Sequence, residues 1–134
     1  MIDPLDQSIK ELLNASRDDE ENLSPTINDR SFGFHAQQTV EKLLKSLIAA
    51  HVQRYKHTHD IKDLVLHVTD LGEHLPMSTA RIERLTEYAG AWRYQEPDAL
   101  PVEDRTEILH TIAALRQYTL KRLYALRPGV DWTS

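Results

Sequence analysis

At 134 residues with 40% hydrophobic content, the chain amounts to one domain and is long enough to bury a single core. Four glycines and no cysteine tilt the reading away from sheet and exclude disulfides, thiolate chemistry and zinc–cysteine sites. A formal net charge of −5 argues against indiscriminate polyanion binding, while a local basic groove, particularly one made by two subunits, stays open.

The first residues lack the basic and apolar regions of a secretory signal, and no apolar run approaches the roughly 18 residues of a membrane span. A cytoplasmic protein with no membrane contact is expected. Leu5, Ile9, Leu12 and Leu13 share one face of a first helix over 4–16, with Asp3 and Pro4 as cap and first residue. The acidic run 18–21 (Asp-Asp-Glu-Glu) reads as a solvated loop or frayed helix end; the calcium-loop spacing is absent.

Ser24 and Pro25 open a long second helix, predicted over about 26–51. Ala36, Val40, Leu43 and Leu47 follow the i, i+4, i+7, i+11 pattern of a buried face, which Leu44 and Ile48 widen. Gly33 inside this helix either admits close approach of another helix or marks a kink. Gln37 and Glu41 fall on the flank of the apolar stripe, where an unpaired polar group costs about 1–3 kcal/mol. Lys45 is the local partner for Glu41 at i, i+4, and Gln38 with Lys42 makes a second such step.

A polar linker, 54–58, leads to a third helix capped by Asp60 or Thr58, carrying Ile61, Leu64, Val65, Val68 and Leu71, and stopped by Gly72 and Pro76. A fourth, from about Ser78, places Ile82, Leu85, Ala89 and Trp92 in register, before Glu96 to Pro101 break the chain. The last helix runs from Val102 to about Leu126. Ile108, Ile112, Leu115 and Thr119 form one line on it; Leu109, Ala113, Leu120 and Leu123 form another. So wide an apolar arc needs cover on two sides, and a second subunit is the expected second cover. Trp92 reads as core, and Trp132 as an exposed tail residue or partner contact.

The string FHAQQTVEKLLKSLI at 34–48 closely resembles the signature helix of the HEPN family, small all-helical domains. Thr58, His59, Asp60 and Ile61 with Leu64, then Tyr88 with Arg93 and Tyr94, match in the expected order. The resemblance spans about residues 25–125. It implies an all-α, five-helix, up-and-down-like bundle with long second and last helices. The whole chain, 1–134, is then one domain with its core at about 25–126 and a tail at 127–134. The family includes ribonuclease toxins, nucleotide binders and members with no known activity. The resemblance therefore implies a nucleotide- or RNA-directed module, toxin-like or accessory to a minimal nucleotidyltransferase. The alternative is a non-catalytic dimeric assembly module.

In the nuclease branch of that family, Arg-x(4–6)-His binds the scissile phosphate and moves protons without a metal. The imidazole suits that role because its ordinary pKa lies near working pH, and the RNA 2′-hydroxyl supplies the nucleophile. Arg30/His35, Arg54/His59 and Arg105/His110 all fit. With ten arginines and seven histidines, chance alone supplies such pairs, so position must discriminate. Arg105 and His110 have the late position of the nuclease motif, although Ile112 stands where a tyrosine is usual; Arg30 and His35 are the alternative. A five-residue separation leaves each pair about 140° apart on a straight helix, so a kink or a second subunit must bring them together. Gln37, Gln38, Glu41, Lys42, Lys45, His59, Arg93 and Tyr94 form either a nucleotide-binding or an interface set. No cofactor and no metal are implied: His67 and His74, two turns apart, are poorly placed to share an ion.

Overall fold

A computed structural model describes residues 2–89 and 100–133. Its order is α1 (Pro4–Glu21), α2 (Asp29–Ala50), α3 (Ile61–Asp70), α4 (Ala80–Arg84) with a 3-10 turn over Leu85–Tyr88, and α5 (Val102–Leu126). No strand occurs among the described residues. Among them, too, no helix is long and apolar enough to cross a membrane. The all-α, five-helix bundle with long second and last helices is the fold expected from the sequence.

α2 is the centre. It packs against α1, α3, α5 and the 3-10 turn, and from Val40 to Ala50 all its residues but Lys42 are buried. A helix covered on every side must be apolar or internally satisfied all round. Ser46 meets this need by donating to the Leu43 carbonyl at 2.7 Å, and Thr39 by donating to the His35 carbonyl at 2.8 Å. Asn28 caps the helix through its side chain, which accepts from Ser31 N at 2.9 Å. The helix therefore begins three residues later than the Ser24-Pro25 reading placed it. Of the two explanations for Gly33, close approach holds: a Cβ there would overlap the Tyr88 ring.

Three expectations change. The acidic run 18–21 is helical, because Asp19 is bound by Lys42 and His35 from α2, and Glu20 by Arg116 from α5 at 2.8 Å. Opposite charges on neighbouring helices keep α1 wound past its last core residue. Trp132 is a core residue, only 1% exposed, rather than an exposed tail. Arg17 of α1 donates to its carbonyl at 2.9 Å, and its indole N–H reaches the Arg127 carbonyl at 3.3 Å. The C-terminal segment thus folds back over the α1–α5 end of the bundle. The fourth helix tightens to 3-10 geometry at Leu85, and Trp92, with the rest of its expected extension, lies outside the described residues.

On α5 the line Ile108, Ile112, Leu115, Thr119 and Leu123 is buried. Leu109, Ala113 and Tyr124 of the neighbouring sector are exposed, and Leu120 is half-buried. Within one chain, α5 is covered on one side.

Candidate functional site

The i, i+4 spacing of Gln37, Glu41 and Lys45 stacks them on one face of α2. At the end of that helix the chain reverses through His51 and Val52. Val52 has φ 59°, a conformation that strains a β-branched residue. The reversal brings residues 53–60 back over the face carrying Glu41. Asp60 then caps α3, accepting from Lys62 N at 3.0 Å, and Thr58 Oγ1 accepts from Asp60 N at 3.0 Å.

Glu41 is the hub. Its Oε1 accepts from Gln37 Nε2 at 2.9 Å and from His59 Nδ1 at 2.8 Å, and its Oε2 accepts from Lys45 Nζ at 3.0 Å. Gln37 also donates to the His59 carbonyl at 2.9 Å, and Gln38 donates to Gln37 Oε1 at 2.7 Å. Lys45 lies 5.2 Å from the centre of the Tyr55 ring, a cation–π contact that ties the returning chain down. Burial pushes the Glu41 carboxyl up, but hydrogen bonds from Gln37, His59 and Lys45 outweigh it and hold the group below the ordinary glutamate range.

An ionised carboxylate only accepts, so the hydrogen in the 2.8 Å contact sits on His59 Nδ1. Glu41 is 6% exposed at its side chain whereas His59 is 64% exposed. The result is an imidazole oriented from below by a buried carboxylate, whose other nitrogen, Nε2, makes no hydrogen bond among the described residues. Around it, Arg54, Lys56, His57 and Lys62 are exposed. Residues 53–63 thus set Arg54, Lys56 and Lys62 against Asp60 and Asp63, a small local excess of positive charge on an acidic protein.

The remaining predicted residues are distributed differently. Lys42 does not pair along the helix with Gln38; it binds Asp19 of α1, which also accepts from His35 Nδ1 at 3.0 Å. The cause is reach: Asp19 projects from the last turn of α1 directly at this face of α2, and charge outcompetes a neutral amide. Arg105 is drawn to α2, where it donates to Asp29 at 2.6 Å and lies over the Phe32 ring at 4.6 Å. That bond to Arg105 holds the Asp29 carboxyl below its usual range. His110 is exposed on α5 and has no partner among the described residues. Neither Arg105 with His110 nor Arg30 with His35 is brought together by a kink, since α5 and α2 are both unbroken helices. Arg93 and Tyr94 lie outside the described residues.

One constellation has no counterpart in the sequence reading. Glu73, in the α3–α4 connection and 2% exposed at its side chain, accepts from Tyr118 OH at 2.5 Å and His51 Nε2 at 2.7 Å. Arg122 Nε reaches both its oxygens, at 2.8 and 3.1 Å. Burial raises the Glu73 carboxyl, yet Arg122, Tyr118 and His51 together bring it below the ordinary range. Every strong acceptor position is taken. Glu73 therefore joins α2, α3 and α5 structurally and has nothing left for a ligand. Only the i, i+4 step from Tyr118 to Arg122 was visible in the sequence.

A family model described as HEPN domain matches residues 6–123. No curated protein and no solved structure matches the chain.

Proposed function

This chain belongs to the HEPN domain family, and from that premise we propose that it is a dimeric nucleotide- or RNA-directed module whose recognition surface is the connection between α2 and α3. It is toxin-like, or accessory to a minimal nucleotidyltransferase. The observation carrying this reading is the His59 ring, held by buried Glu41 yet open to solvent, amid exposed Arg54, Lys56 and Lys62. Cations and an oriented imidazole suit phosphate, and their position on a chain of net charge −5 confines polyanion contact to one surface.

Metal-independent RNA cleavage is the finer form of this reading. Arg105 and His110 remain its candidates by position in the chain. For them to act, Arg105 must leave Asp29, or a second subunit must supply the cation that His110 lacks. The pair Arg54/His59 has the same spacing, both side chains are exposed, and its imidazole is already oriented by a carboxylate. General acid–base chemistry favours such a preset ring.

The test is purified protein with single-stranded RNA and tRNA in EDTA, followed by anisotropy and on a denaturing gel. RNA is expected to bind, and to bind more weakly as salt rises. Loss of cleavage in His59→Ala alone places the chemistry at the α2–α3 connection; loss in His110→Ala alone places it on α5. Binding without cutting supports an accessory module. Neither binding nor cutting contradicts the proposal and leaves the non-catalytic assembly module.

A further inference from the structure

The Arg105 guanidinium is gripped from two sides. In the first turn of α5 it donates from Nη2 to Asp29 Oδ1 at 2.6 Å, and it lies 4.6 Å over the ring of buried Phe32. Asp29 is the first residue of α2, and its carboxylate also accepts from the Leu100 backbone N–H. A helix N-terminus favours negative charge, so this carboxylate is well fixed. The Nη1 of Arg105, by contrast, is buried without a hydrogen-bond partner among the described residues. A buried donor left unpaired costs stability. Asp29 and Phe32 therefore hold the arginine where only part of it is satisfied. Exposure decides what an anion meets there. The Asp29 side chain is 41% exposed and that of Arg105 only 14%, so an approaching phosphodiester reaches the carboxylate first, with the guanidinium behind it and already paired.

We propose that the Asp29–Arg105 pair is an autoinhibitory latch, which withholds from RNA the arginine of the Arg105/His110 pair. The proposal rests on the α5 form of the function proposed above and adds its regulation. His110 is exposed on the same helix, an acid–base group presented without the cation that would bind the scissile phosphate. Because α5 is unbroken over Val102–Leu126, Arg105 and its own His110 stay about 140° apart. A freed guanidinium then serves the His110 of the second copy in the dimer. The latch can open because Asp29 engages one guanidinium nitrogen and leaves the other unpaired. A phosphate offers acceptor oxygens to both at once. An ion pair whose carboxylate faces water is also a modest barrier to such an exchange. The unpaired Nη1 is thus the difference between the latched state and the substrate-bound one.

The experiment compares the full-length wild type with Asp29→Asn and Asp29→Ser, in EDTA, on single-stranded RNA and tRNA under single-turnover conditions. Asparagine keeps the shape and removes the charge; serine is too short to reach Arg105. Both variants should cut at least about tenfold faster than wild type, the loss of one charge-assisted bond, and His110→Ala in either background should abolish the gain. Nitrogen-15 spectra give a readout apart from activity: rotation of the Arg105 guanidinium should be slow in wild type and fast in both variants. An unchanged guanidinium overturns the latch. So does wild-type cutting that needs His110 but is not accelerated by either variant, which leaves the α5 site standing. Slower cutting in the variants also overturns it and makes Asp29 a positioning residue for Arg105. Cutting that survives His110→Ala in every background, or no cutting by any variant, overturns the latch and the α5 site together.

Discussion

Two buried glutamates decide much of this protein's behaviour, and in each the number of hydrogen-bond donors outweighs the penalty of burial. Glu41 gathers Gln37, Lys45 and His59; Glu73 gathers His51, Tyr118 and Arg122. Removing a buried ionic partner strands the others, so Glu41→Ala should lose about 3 kcal/mol in urea denaturation, well above the ~0.5 kcal/mol of an exposed helical pair. Both carboxyls are held below their ordinary value of 4.5 in the folded state. A group so shifted contributes its full stability above that value and loses it as pH falls through the folded pKa. The thermal midpoint should therefore drop as the pH goes below 4.5, and Glu73→Gln should flatten that drop while lowering the midpoint at neutral pH. An acid limb unchanged by Glu73→Gln would show that Glu73 is not ionised and gripped as described. The pairing of Glu41 with Lys45 was legible from the sequence as a spacing of four. Its depth was not, because a position on a helical wheel does not reveal that residues 53–60 return to cover it. Glu73 was invisible for a related reason: its partners come from the end of α2 and from α5, and no period relates either of them to residue 73.

Among the elements, α2 was the most legible, since its apolar register extends over four turns and leaves no alternative. Its covering comes from α1, α3, α5 and the 3-10 turn, all of which pack against it. α4 was the least legible: a helix expected from about Ser78 past Trp92 is, within the described residues, five helical residues and a 3-10 turn, with Tyr88 set against Gly33. The close fit of ring to glycine governs that segment more than its own helical propensity does. α5 carries the unfinished surface. Leu109, 38% exposed, Ala113, Leu120 and Tyr124 follow at spacings of four, seven and four residues along it, a stripe suited to packing against a second copy. Dimerisation is common among HEPN domains, and this stripe is the proposed contact. Leu109→Glu should convert a dimer to a monomer of about 15.5 kDa in sedimentation, with little change in helix content. A wild-type monomer at micromolar concentration, or a dimer indifferent to Leu109→Glu, would contradict that assignment.

For the whole molecule, the bundle separates two tasks. Glu73, gripped from α2 and α5, and Trp132, held by Arg17 of α1 and by Tyr124 and Arg127, are locked by partners from distant segments. The flank carrying Glu41, His59 and the loop from Gln53 is held from below and open above. Net charge −5 would repel nucleic acid from most of the surface, so a cationic loop restricts where contact can form. The central claim is that this loop is the recognition surface. It is tested most directly by titrating a short single-stranded RNA into isotope-labelled protein and following each backbone amide. Resonances of Gln53 to His59 and the first turn of α3 should shift together and saturate, with those of α5 around His110 unmoved. Shifts confined to α5, or none at RNA concentrations that saturate binding by anisotropy, would contradict it.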